Sequence, residues 1–432
     1  VVSMSELVVG KTSLKDFEDL RYTAKKAVET TNFWKEKFSR IDIENLTPET
    51  LVSKLDSLYI TPKDLYNTEK VWPSYIKNCD IFYTIVRTSG TTGQPKRIPY
   101  TLDDKKRVAR QFIPWVNKYL EKGDKIASFF PPLPSASGIM GYGGLEELGV
   151  KAVYYQVPIQ FIRMPDILIS ELRHIRPTVL FSLTTTAFLL GLKLPDDIKE
   201  DLRVILVGGE TLTEELAKAT LENFPNAIII DTFGTSEDGA VGYRVITKTK
   251  TTKFSFPESI ITLKSIEDEE YKEYHKVYIT KVMKEGELTG LPLFNYDIGD
   301  LARVEDGEIR SIIRVKDAIS LAGATLYLDQ IISIVHRYPF LVDFVILYYP
   351  LSPSNPKPKA IIRVGYIGEK PAGIEDEIRS LIYEGNNPVR YEVEESKQAE
   401  LIIEAVPAEK VREGLPQKPG KTKRIFIVGK DI

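Results

Sequence analysis

Apolar residues recur at helical spacing between Leu14 and Phe38, with Phe17, Leu20, Tyr22, Ala24, Val28 and Phe33 between them, which predicts a helical segment there. A second short helix is expected over 51–58. From about residue 80 the pattern changes. Short apolar runs at 81–86, 125–130, 150–156, 178–182, 204–207 and 227–230 alternate with helical stretches such as 103–120, 165–174 and 214–223. Such alternation predicts parallel strands joined by crossover helices, an α/β layered core. Ligands of such sheets lie at the carboxyl ends of the strands.

Beyond residue 250 the apolar runs are short and flanked by charges, as at 276–282 and 309–313, and read as a β-rich part. After Arg314 an α+β pattern follows, with strands expected at 341–349 and 359–364 and a helix at 374–383. The proline-rich 351–358 reads as an exposed loop, because strands resume on both sides. The expected fold class is multi-domain α/β. A large domain spans 1–313, with a helical region over 1–78, an α/β core and a β-rich part, and a small α+β domain spans 314–432. No internal repeat or low-complexity tract interrupts it.

Composition narrows the classes of function. A chain of 432 residues with 43% hydrophobic and 28% charged residues is that of a globular protein with more than one core. A formal net charge of −3 provides no positive field for nucleic acid or anionic lipid, so neither is an expected partner. The single Cys79 and the scattered His174, His275 and His336 exclude a zinc site at metal-ligand spacing. The uncharged stretch 177–192 has 16 residues of which five are Ser or Thr, too short and too polar for a membrane span. The first residues lack a signal-peptide pattern, and a cytoplasmic location is expected.

The chemistry concentrates in a few segments. Residues 88–96 read Thr-Ser-Gly-Thr-Thr-Gly-Gln-Pro-Lys, directly after the run at 81–86. Gly90 and Gly93 let the backbone turn sharply and approach an anion, Ser89, Thr91 and Thr92 add hydroxyl donors, and Lys96 adds a charge. Such a loop suits a polyphosphate. It is not a Walker loop, because the second glycine follows the first by three residues and no Gly-Lys-Ser/Thr follows. Asp231-Thr-Phe-Gly-Thr-Ser-Glu-Asp238 follows the run at 227–230 and reads as a glycine turn presenting Phe233, hydroxyls and Glu237, or as a helix-capping turn.

Position for position, 88–96 resembles the phosphate loop of the adenylate-forming superfamily, the acyl-CoA synthetases and their relatives, which activate a carboxylate with ATP. The segment 231–238 resembles that superfamily's aromatic-Gly-x-Ser/Thr-Glu signature. The resemblance implies that Phe233 stacks on adenine beside Thr232 and Gly234, that Ser236 reaches the α-phosphate, and that Glu237 holds Mg2+. Val207-Gly208-Gly209-Glu210 resembles the adenine-binding edge. Leu293-Phe-Asn-Tyr-Asp-Ile-Gly-Asp300 resembles the segment whose last aspartate, here Asp300, accepts from both ribose hydroxyls, although Asn295 and Ile298 depart from the usual arginine and threonine. Arg314-Val-Lys-Asp317 resembles the hinge, with Arg314 on the nucleotide and Asp317 as pivot, and the loop at Gly323 would line the tunnel for coenzyme A. In Lys418-Pro-Gly-Lys-Thr-Lys-Arg424, Lys421 matches the mobile lysine that approaches the α-phosphate during adenylation.

Among the branches of that family the chain is most similar to the phenylacetate–CoA ligases, through 20–25, 32–38, Tyr100-Thr-Leu-Asp-Asp104 and the Gly-Lys-Thr-Lys-Arg-Ile near the C-terminus. The resemblance puts the acyl group at Ser135–Gly144 and the turn before Gly208, in particular at Ser137, Gly138, Tyr142 and Gly143. Gly138, Gly141, Gly143 and Gly144 are expected to leave room for a flat or bulky acid, with Tyr142 stacking on its ring. The implied activity is acyl-AMP formation from an aryl or arylalkyl acid followed by thioester formation with CoA. Homodimers are common among such enzymes. Transfer of AMP to a deazaflavin coenzyme, loading of the acyl group onto a protein, and a non-catalytic nucleotide-binding role remain alternatives at this point.

Overall fold

A computed structural model describes residues 6–10, 14–66, 68–88, 96–266, 274–314, 318–322, 324–350, 355, 357–416 and 423–428. The chain forms two compact units. One comprises Val1–Leu183, Pro195–Gly209 and Asn226–Ile312, and the other Thr184–Leu194, Glu210–Pro225 and Ile313–Ile432. Neither is continuous in sequence.

The first unit is built on a six-stranded sheet. Its strands run in the order Val153–Gln156, Lys125–Ser128, Val179–Leu183, Val204–Gly208, Ile228–Thr235 and Gly239–Ile246. The first five are parallel and the last is antiparallel. Val179–Leu183 and Val204–Gly208 are buried along their whole length, which is why they read as unbroken apolar runs. An antiparallel sheet orders Glu6–Gly10, Ser259–Ser265, Tyr274–Lys281, Tyr296–Glu305 and Glu308–Arg314. A two-stranded hairpin pairs Tyr83–Arg87 with Arg97–Thr101.

The helix Leu102–Tyr119 links these sheets. Thr101 and Asp104 form a reciprocal capping box at its start, and Val108, Phe112, Trp115 and Val116 bury one face. The helical segment expected over 14–38 is two helices, Leu14–Thr30 and Asn32–Lys37. Thr31 lies between them in an extended conformation, its hydroxyl accepting from Trp34 N as an N-cap. The helix expected over 51–58 likewise divides into Pro48–Ser53 and Leu55–Leu58. No helix among the described residues is long and apolar enough to cross a membrane.

In the second unit a mixed sheet runs in the order Glu400–Pro407, Lys359–Tyr366, Leu341–Tyr349 and Ile425–Ile427. The helices Leu328–Val335 and Ile374–Gly385 pack on it, and from earlier in the chain Glu214–Asn223 packs against Leu328–Val335 and Thr184–Lys193 against Glu214–Asn223. Gly191 lets the last two helices close up, because a Cβ there would lie 2.8 Å from Asn223 Cβ. Most of 351–358 lies outside the described residues.

Candidate active site

The strand expected to stop at residue 230 runs on to Thr235 and turns back at Ser236–Asp238 into Gly239–Ile246. The signature segment is therefore the tip of a β-hairpin, which corrects both the glycine turn after residue 230 and the helix-capping alternative. Gly234 is needed for close approach of the strands rather than for a turn. A Cβ there would lie 2.8 Å from Gly239 O, where the register shifts between Phe233 and Thr235. Asp238 N donates to Thr235 Oγ1 at 3.0 Å and closes the tip.

Buried side chains clamp this tip. Arg107, on the long helix, donates to both Asp238 carboxylate oxygens at 2.7 and 3.3 Å and to Asp238 O at 3.1 Å. It also donates to Val282 O, Glu258 O and Ser259 Oγ. The side chains of Arg107 and Asp238 are 1% and 0% exposed, so the ion pair survives burial because its polar groups are matched in detail. Gln111 donates to Asp238 O at 3.1 Å and accepts from Ala240 N at 2.9 Å. Tyr100 donates to Ser236 O at 2.9 Å.

Within the clamped tip Glu237 meets Lys96 and Tyr296. Lys96 Nζ forms an ion pair with Glu237 Oε1 and donates to the Tyr296 hydroxyl at 3.1 Å. Tyr296 in turn donates to Glu237 Oε1 at 2.8 Å. Burial, followed by the Glu237 charge, pushes the Tyr296 hydroxyl well above its ordinary pKa, so it remains a donor. Among the described residues no group of three or more His, Cys, Asp or Glu side chains could hold a metal. Magnesium is commonly held by one or two carboxylates with nucleotide phosphates and water, so Glu237 fits an ion that arrives with ATP.

Lys96 also marks the base of the expected phosphate loop. Thr88 N donates to Lys96 O at 3.1 Å, and Lys96 N donates to Thr88 Oγ1 at 2.9 Å. Ser89, Gly90, Thr91, Thr92 and Gly93 lie outside the described residues, as do Asp317, Gly323 and Lys421. Arg314 ends the strand Glu308–Arg314.

Of the residues expected at the nucleotide, Gly208, Gly209, Thr232, Phe233, Gly234, Ser236 and Asp300 belong to the first unit. Gly208 pairs with Thr232 in the sheet, and a Cβ on it would lie 2.3 Å from Thr232 Oγ1, which itself donates to Val207 O at 2.7 Å. Gly209 adopts φ 82°, in the left-handed region that glycine tolerates. Phe233 and Asp300 are buried, the latter four residues beyond Tyr296 on the same strand. Glu210 falls in the second unit, where Oε2 accepts from Thr185 N at 2.8 Å at the start of the helix Thr184–Lys193.

The segment expected to hold the acyl group is helical, as Ala136–Gly138, Ile139–Gly143 and Gly144–Glu147. Its glycines are mostly filled by neighbours, contrary to the expectation of open room. A Cβ on Gly138 would lie 2.6 Å from Leu133 N, one on Gly141 3.1 Å from Tyr154 Oη, and one on Gly144 3.2 Å from Phe112. Gly143 is less crowded, with its nearest neighbour at 3.8 Å. Ser137 Oγ donates to Pro131 O at 2.9 Å. Tyr142 is half exposed, donates to Glu146 at 2.8 Å and meets Tyr154 edge-on. Met140 Sδ lies 3.6 Å from the Cβ position of Gly234, which brings this segment against the signature strand.

The sequence profile of the AMP-binding enzyme family matches residues 18–286, well over half of the chain, and the protein belongs to that family. It is 23% identical over 341 residues to the D-alanine--D-alanyl carrier protein ligase of Bacillus velezensis, covering 73% of this chain and 63% of that protein. Its counterpart in Bacillus licheniformis is 25% identical over 297 residues, 62% of this chain and 57% of that one. The chain thus spans less than two thirds of the length of these relatives. The fold resembles that of 2-hydroxyisobutyryl-CoA ligase in the postadenylation state, with a TM-score of 0.69 at 15% identity over 95% of this chain and 88% of that one. It also resembles the anthranilate CoA ligase AuaEII bound to anthranoyl-AMP, with a TM-score of 0.56 at 18% identity over 79% and 65%.

Sequence reading missed Tyr296, Tyr100, Arg107 and Gln111. Tyr296 and Tyr100 lay inside quoted motifs, but nothing local marked their partners. Arg107 sits among Lys105, Lys106 and Arg110, where a charge reads as solvated.

Proposed function

We propose that the protein activates a carboxylic acid with ATP and passes the acyl group to a thiol. The carboxylate attacks the α-phosphorus, pyrophosphate leaves, and an acyl-AMP forms. The thiol sulfur then attacks the acyl carbon and AMP departs with its bonding electrons. The observation that carries this reading is the buried Lys96–Glu237–Tyr296 cluster at the tip of the signature hairpin, with Asp300 on the strand that bears Tyr296.

In this reading Ser89, Gly90, Thr91, Thr92, Gly93 and Ser236 hold the phosphates, joined by Lys96, and Glu237 ligates magnesium. Gly208, Gly209, Thr232, Phe233 and Gly234 border the adenine, Asp300 the ribose, and Arg314 the nucleotide. Lys421 offsets the charge that gathers on the α-phosphoryl oxygens. Asp317 is the pivot that exchanges Lys421 for the Gly323 loop, which serves the second half-reaction. The substrate class is an aryl or arylalkyl acid of the phenylacetate type, and CoA is the acceptor. The exposed ring of Tyr142 and the uncrowded Gly143 support the acid class.

A carrier protein is the second acceptor to test, because the relatives from two Bacillus species are carrier-protein ligases. Measuring AMP, pyrophosphate and thioester across phenylacetate, benzoates, hydroxycinnamates, fatty acids and D-alanine, with CoA or a carrier protein, decides between them. Thioester on CoA with an aryl acid supports the reading. Pyrophosphate release with loading only of the protein replaces CoA as acceptor. Nucleotide binding with no pyrophosphate exchange for any acid counts against catalysis altogether.

A further inference from the structure

Tyr296 ties together the two charged groups of the cluster. It is 1% exposed, and one hydroxyl both accepts from Lys96 and donates to Glu237. The backbone on either side is fixed. Asn295 adopts φ 45°, a left-handed conformation that asparagine tolerates, and is fully buried. Its amide donates to Leu51 O at 2.7 Å, its backbone N–H to Thr280 Oγ1 at 3.0 Å, and its side-chain oxygen accepts from Thr262 at 3.0 Å. Asp297 N donates to Ile60 O at 2.8 Å. The Tyr296 ring therefore stands on backbone held by hydrogen bonds on both sides, and a phenol has only two side-chain torsions to lose.

Lys96 differs in kind. Its ammonium sits at the end of a flexible four-carbon stem and can exchange a carboxylate for a phosphate. Building on the reading of Glu237 as magnesium ligand and Lys96 as phosphate ligand, we propose that Tyr296 is a positioning residue that keeps the Glu237 carboxylate in place when Lys96 turns to the nucleotide. Oε1 stays anchored through the phenol, so the carboxylate need not be reordered when the metal arrives. Outer-shell hydrogen bonds of this kind orient metal ligands, and their loss weakens metal affinity about ten- to a hundredfold.

The Tyr296→Phe variant keeps the ring and removes the hydroxyl. Mn2+ binding to the full chain with a non-hydrolysable ATP analogue, followed by the electron paramagnetic resonance of free Mn2+, reads the effect without turnover. Expected is Mn2+ affinity weakened about ten- to a hundredfold. Binding of the analogue in EDTA should stay within about twofold of the parent, the scatter of independent sites. Glu237→Gln should weaken Mn2+ as well, and Tyr296→Phe added to it should cost nothing more. Unchanged Mn2+ affinity in Tyr296→Phe overturns the proposal. So does a loss that persists in the Glu237→Gln background, or a loss of nucleotide binding in EDTA, which would mark a purely structural role. Full Mn2+ affinity in Glu237→Gln would instead remove the metal reading of Glu237, a failure distinct from that of the tyrosine alone.

Discussion

Every side-chain nitrogen of Arg107 has an acceptor, and the turn that carries Glu237 depends on it. Replacing it with methionine leaves the Asp238 carboxylate buried without its cation, a change that costs about 3–5 kcal/mol. The expected outcome is a lower denaturant midpoint for Arg107→Met, larger than that for exposed Arg173→Met, whose partner Asp197 is solvated. Lys421 makes the opposite prediction. Lys421→Ala should leave the melting temperature unchanged, reduce pyrophosphate exchange about 10²–10³-fold, and spare thioester formation from preformed acyl-AMP. Equal loss in both half-reactions would count against its specific role. At this scale the resemblance of short motifs offered Glu237 and Asp300 as candidates, and both side chains are buried. The sequence was silent where the partner is remote: Lys96 lies 200 positions from Tyr296, and no local pattern announces that hydrogen bond.

The hairpin from Ile228 to Ile246 shows what element-level reading gains and loses. The apolar half of its first strand was plain in the sequence, but the polar half, Asp231 to Thr235, was not, because its burial comes from partners elsewhere. Asp231 is matched by Arg244 at 2.8 Å across the hairpin, so a carboxylate that reads as a strand end lies in the interior. Gly234→Ala would push a methyl into Gly239 O. A loss of about 1–3 kcal/mol is expected, whereas alanine at Gly143, with 3.8 Å to its nearest neighbour, should cost far less. In the second unit His336 follows the helix Leu328–Val335, buried against Phe188, and neither ring nitrogen has a hydrogen-bond partner among the described residues. Burial, then the Arg424 charge, lowers its pKa from 6.5 to about 3, while Asp343 opposes the shift. A base with a depressed folded pKa binds its proton in the unfolded chain first, so stability falls as pH drops below 6.5. The slope approaches about 1.4 kcal/mol per pH unit towards the folded value. The thermal midpoint should drop between pH 6.5 and 5, and His336→Leu should flatten that limb; an unaltered slope would contradict the assignment.

At the scale of the whole molecule, the parallel core could be read from the alternation of apolar runs, because a strand covered on both faces must be apolar throughout. The membership of the second unit could not. Its helices Thr184–Lys193 and Glu214–Asn223 sit between core strands in the sequence, and only packing assigns them to the unit that resumes at Ile313. Arg424, buried and paired with Asp343 at 2.9 Å, also reaches Thr185 Oγ1 at 3.3 Å. A fragment cut at residue 313 lacks that threonine, Phe188 and Glu210. The expected outcome is that 313–432 expressed alone gives poorly dispersed nuclear magnetic resonance spectra, while a sharp, cooperative melt would show it to be self-sufficient. The same interleaving sets an order on synthesis. Residues 184–194 and 210–225 leave the ribosome well before the strands and helices they pack with, so strict domain-by-domain folding behind the ribosome is closed to this chain. Those two helices can pack on each other early, but their contacts with the helix Leu328–Val335 form only once the last part of the chain has been made.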